Sequence, residues 1–88
     1  MGTEVEDVDI LAQFFGRELC KYDREAISLR GMPKFKVGTR VKIHGSMPDA
    51  DGYVFITKYM FWSDLLHSWV YYVPGFDFYQ CESNLKEI

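Results

Sequence analysis

The chain has 88 residues, of which 48% are apolar, 26% charged and 17% aromatic, with a formal net charge of −3. That length holds one small domain, and the composition belongs to globular rather than disordered chains. No run approaches the ~20 apolar residues of a membrane span, because Lys58, Ser63 and Asp64 interrupt the longest aromatic stretch.

The opening MGTEVEDVD is acidic where a secretory signal would be basic, and Glu6 stands where a myristoylation motif wants Ser or Thr. Together they predict a cytoplasmic protein. Cys20 and Cys81 are too few and too far apart for a disulfide framework and read as free thiols in a reducing compartment. Charge is unevenly spread: residues 1–25 carry seven acids and three bases, 26–48 five bases and no acid, and 49–88 six acids and two bases.

Residues 3–22 read as a helix. Thr3 and Glu6 have the capping-box spacing, and Glu4, Glu6, Asp7 and Asp9 favour the positive end of the helix dipole. Val8, Leu11, Phe15, Leu19 and Tyr22 recur at helical steps, with Gly16 a weak point in the middle. This stripe predicts packing against the rest of the domain. Residues 23–29 add one or two turns, with Asp23 as cap and Gly31 as stop, before Met32-Pro33 blocks any continuation.

The segment 35–43 alternates as a strand, with Phe35, Val37, Thr39, Val41 and Ile43 on one side and Lys34, Lys36, Arg40, Lys42 and His44 on the other. Gly38 permits a bend or bulge. GSMPDADG is a polar loop that closes at Asp51-Gly52. Strands follow at 53–61, 69–73 and 76–79, with a short connection at 63–68, a turn at Pro74-Gly75 and a terminal turn at 82–85. The second and third strands are apolar on both faces. Either the helix covers the outer face or an aromatic patch is left for a partner.

The residues Val37-Gly38-Thr39-Arg40-Val41-Lys42-Ile43, then Gly52-Tyr53-Val54, then Trp69-Val70-Tyr71-Tyr72-Val73, and finally Tyr79 and Glu82-Ser83-Asn84-Leu85 resemble an SH3-like barrel. Tudor-like and KOW-like modules share that outline, as does the variable subunit of ferredoxin–thioredoxin reductase. The resemblance covers about residues 35–88 and leaves the helix outside it. It implies an α+β domain in which an N-terminal helical arm (1–33) packs on a small, strongly bent, five-stranded antiparallel SH3-like β-barrel (34–88). The Tudor type implies an aromatic cage for a methylated side chain, for which Tyr53, Tyr59, Trp62, Trp69 and Tyr71 are the available rings. The KOW type implies a glycine in a nucleic-acid-binding loop, and Gly52 is too generic to carry that over.

Two surfaces are candidates for binding. The aromatic group Tyr59, Phe61, Trp62, Trp69, Tyr71 and Tyr72 has the residue types that dominate protein interfaces. The basic strand Lys34, Lys36, Arg40, Lys42 and His44 spaces its cations about 7 Å apart, near the spacing of successive phosphates, and is the alternative, a nucleic-acid-binding surface. The net charge of −3 weighs against that alternative. His67, Asp64 and Ser68 sit too close in sequence to build a catalytic triad, and Cys20, Cys81, His44 and His67 lack the paired spacing of a zinc site. The sequence therefore predicts a non-enzymatic, cofactor-free interaction or accessory module. It would bind another protein as a monomer or small homo-oligomer, away from any membrane.

Overall fold

The computed structural model describes residues 10–45 and 47–88. They form an α+β domain with two helices and six antiparallel strands in two three-stranded sheets. The capping box at Thr3 and Glu6, and Val8 of the apolar stripe, lie outside the described residues.

Helix α1 is described over residues 10–15 and ends well before the expected position 22. Its stop is Gly16, at φ +70°, whose amide donates to the Ala12 carbonyl. A Cβ at this position would lie 3.1 Å from the Val37 methyls, so only glycine fits both the left-handed turn and the close approach. In the sequence Gly16 reads as a weak point inside a helix; in the structure it is the terminator.

Helix α2, Lys21–Arg30, begins three residues earlier than expected, because Asp23 is not the cap. Cys20 is its N-cap, and Asp23, in the first turn, accepts the Cys20 amide and thiol at 3.1 and 3.3 Å. Gly31, at φ +85°, closes the helix as expected. No helix among the described residues is long and apolar enough to cross a membrane.

The first sheet has the order β2–β1–β6, formed by Val54–Ile56, Arg40–Ile43 and Leu85–Glu87. The second has the order β3–β4–β5, formed by Met60–Ser63, Ser68–Val73 and Phe78–Cys81. A 3-10 turn, η1, at Glu82–Asn84 leads from β5 into β6.

The strand expected at 76–79 lies at Phe78–Cys81, because the turn runs through residue 77, and β6 is not among the expected strands. Two other expected strands are shorter than read. Only 40–43 of segment 35–43 pairs as strand, and 53–61 divides into β2 and the start of β3. Both departures involve Thr57, which is buried at the break. Its hydroxyl donates to the Lys36 carbonyl at 2.7 Å and accepts the Thr39 amide at 2.9 Å. Its own carbonyl accepts the Gly38 amide, and the Val37 amide goes to the Phe14 carbonyl at the end of α1. These backbone groups are thus satisfied by a corner rather than a ladder.

The inward residues of both sheets meet in one core: Val41, Ile43, Phe55 and Leu85 from the first, Met60, Trp62, Trp69, Tyr71 and Val73 from the second. Phe15 and Ala26 bring both helices onto it.

Candidate functional site

Strand alternation divides the aromatic residues of the second sheet into two sets. Trp62, Trp69 and Tyr71 point inward. Trp69 packs its ring against Phe15 and Trp62, with centroids 5.6 and 5.8 Å apart, and its indole N–H donates to the Gly31 carbonyl at 3.1 Å. The Trp62 indole N–H donates to Asp64 at 2.9 Å, and the Arg30 guanidinium lies 5.3 Å from its ring centre. Tyr71 is fully buried; its hydroxyl accepts the Phe35 amide at 3.0 Å and donates to Glu82 at 2.7 Å. Burial pushes the Tyr71 phenol far above its ordinary range, and the Glu82 carboxylate adds to that effect. These three side chains hold the helices and the 34–35 segment to the sheet.

Phe61 and Tyr72 point the other way, and the structure adds two neighbours to them. Tyr79 stands directly opposite Tyr72 across the β4–β5 ladder, and Tyr59 precedes β3. The rings form a chain: Tyr59 to Phe61 at 5.9 Å, Phe61 to Tyr79 at 5.1 Å, and Tyr79 to Tyr72 at 5.6 Å. Tyr59 is 40% and Tyr79 45% exposed, whereas Tyr72 and Phe61 are half-buried. The helices contact the inward rings, so this outer face lies on the opposite side of the sheet from them.

Charged groups edge the patch at both ends. The Arg17 guanidinium lies 4.9 Å from the Tyr59 ring centre and 5.4 Å from that of Phe15. It is fixed there by Asp23, at 2.6 and 3.2 Å, and by the Met60 carbonyl at 2.8 Å. Burial pushes the Asp23 carboxyl up, but the hydrogen bonds from Arg17 and Cys20 outweigh it and leave it below its ordinary range. At the other end the Tyr72 hydroxyl lies 3.4 Å from an Asp77 carboxylate oxygen.

The predicted aromatic group is therefore split: Tyr59, Phe61 and Tyr72 share an accessible face, while Trp62, Trp69 and Tyr71 belong to the core. Tyr79 was missing from the prediction, since only the β4–β5 register places it opposite Tyr72. The rings considered for a cage do not converge. Among Tyr53, Tyr59, Trp62, Trp69 and Tyr71 only the two tryptophans touch, and Tyr53 packs against Phe55 and Phe76 instead.

The basic residues also separate. Lys34 and His44 border an open cleft of about 690 Å³ that they share with Glu82, Lys86 and Glu87. Lys36 lies beside Ile10, Gln13 and Phe14 of α1. Arg40 and Lys42 remain together on the outer face of β1, where Lys86 of β6 stands directly opposite Lys42.

Asp64 accepts hydrogen bonds from Trp62 and Tyr22, and Ser68 donates to its neighbour's carbonyl, so neither engages His67. Among the described residues no group of three or more His, Cys, Asp or Glu side chains is placed to hold a metal ion. No protein-family model, curated protein or solved structure matches the chain. The functional reading accordingly rests on the geometry of the two outer faces.

Proposed function

We propose that this chain is a non-enzymatic interaction module that holds a protein partner against the outward rings of Tyr59, Phe61, Tyr72 and Tyr79. One observation carries the reading: four aromatic side chains in unbroken contact on the face turned away from the helices, with two of them at least 40% exposed. Aromatic side chains bring large contact area at small entropic cost, and the three phenol hydroxyls give the patch polar handles.

The strand order favours a partly open SH3-like barrel as the scaffold. Only residues 57–59 separate β2 from β3, so the two read as one bent strand shared by both sheets. On that count β1, β2–β3, β4, β5 and β6 are the five strands, with η1 leading into the last. The thiols of Cys20 and Cys81, both free, fit a reducing compartment such as the cytoplasm.

The test starts with affinity capture from the native cell, followed by titration of the purified partner against wild type and a Phe61→Ser/Tyr79→Ser variant. The affinity falls by roughly tenfold or more. An unchanged affinity contradicts the proposal.

A further inference from the structure

We infer that the outer face of the β2–β1–β6 sheet is a second docking site, and that its occupant is an acidic, aliphatic-bearing segment of a protein partner. The inference is independent of the aromatic face.

Lys42 and Lys86 are direct cross-strand partners. Backbone hydrogen bonds two residues to either side, Ile88 to Arg40 and His44 to Asn84, make theirs a hydrogen-bonded pair. Their Cα atoms are then about 5.5 Å apart. Arg40 lies two residues along β1 on the same face, so three cations share one small area. Like charges placed opposite one another destabilise a sheet. Among the described residues the only ion pair is Arg17 with Asp23, so none of these three cations is within ion-pair distance of a described carboxylate.

Aliphatic side chains are interleaved with the cations. Val54 stands opposite Lys42 and Ile56 opposite Arg40 across the β1–β2 ladder, and they are 38% and 45% exposed. A single strand of nucleic acid would satisfy the cations but would have no aromatic ring on this face for its bases to stack on. It would also leave Val54 and Ile56 against sugar and phosphate. A segment that presents carboxylates and aliphatic side chains on one side satisfies both halves of the face. The net charge of −3 further favours a partner read at short range over a long phosphate polyanion.

The probe is a fluorescently labelled peptide of about 15 residues that places Glu and Leu on one helical face. Controls carry Gln for Glu or Ser for Leu, and oligo(dT) serves as the nucleic-acid probe. The parent peptide binds the full chain more weakly as salt is raised, and each control peptide binds at least roughly tenfold more weakly. Lys86→Glu lowers peptide affinity by roughly tenfold. The same substitution raises Tm by about 1–4 °C, because it replaces the like-charge pair by an opposite one. That combination separates lost recognition from lost folding.

Val54→Ser/Ile56→Ser also weakens binding, whereas Phe61→Ser/Tyr79→Ser leaves it unchanged. Retention by the last variant keeps this site distinct from the aromatic one. The inference is overturned if the peptide does not bind, if Lys86→Glu leaves its affinity unchanged, or if oligo(dT) binds through Arg40, Lys42 and Lys86 more tightly than the peptide.

Discussion

Phe61 and Trp62 are neighbours in sequence, as are Tyr71 and Tyr72, yet each pair is divided between the two sides of one sheet. The inward members are enclosed: Tyr71 is 0% and Trp69 3% exposed, and their polar atoms are matched to the Phe35 amide, Glu82 and the Gly31 carbonyl. The outward members touch one another and stay open to solvent. The same residue types thus do two jobs, and strand alternation decides which. Exposed aromatic area is informative here because the core already has its own.

That contrast can be broken by substitution, most strongly on the inner side. Trp69→Ala removes the ring that joins Phe15 to Trp62 and leaves the Gly31 carbonyl without its donor; it should cost about 3–5 kcal/mol in urea unfolding. Tyr71→Phe keeps the ring but leaves the Phe35 amide without its acceptor, at about 1–3 kcal/mol.

Tyr71 also has a pH signature. Its phenol is held above its ordinary value, so the stability it contributes is complete below about pH 10, where the unfolded phenol ionises, and declines as pH rises further. Thermal unfolding of Tyr71→Phe from pH 8 upward should show a shallower alkaline decline than wild type.

Asp23→Asn tests the anchor beneath Tyr59 and costs about 1–3 kcal/mol by weakening the Arg17 and Cys20 hydrogen bonds. The Asp23 carboxyl lies below its ordinary value, so its contribution is present above about pH 4 and is lost as pH falls further. The variant should therefore lose less stability than wild type between neutral and acidic pH. Gly16→Ala forces a methyl toward Val37 at φ +70° and should cost about 1–2 kcal/mol by the same assay. On the outer face, Tyr79→Ser should cost only about 1 kcal/mol or less.

Local patterns were legible in the sequence. The alternation of Arg40–Ile43, the Gly31 stop and the turn at Pro74-Gly75 each depend on a few adjacent residues, as does the terminal turn expected at 82–85, of which Glu82–Asn84 is the 3-10 turn while Leu85 opens β6. What the sequence hid depends on distant partners. Thr57 ends β2 because Lys36 and Thr39 are there to bond its hydroxyl. Gly16 ends α1 where Val37 packs closely against it. The candidate faces were hidden for the same reason. Proximity in sequence gathers the basic residues Lys34, Lys36 and His44 with Arg40 and Lys42, while Lys86 joins Lys42 only through the β1–β6 register.

The most direct test of the aromatic face as the interface pairs two readings on one variant, Phe61→Ser/Tyr79→Ser: unfolding free energy and affinity for the purified partner. The account predicts a roughly tenfold or greater loss of affinity, with stability lowered by no more than about 2 kcal/mol. Retained affinity, or unfolding on the scale of Trp69→Ala, would contradict it.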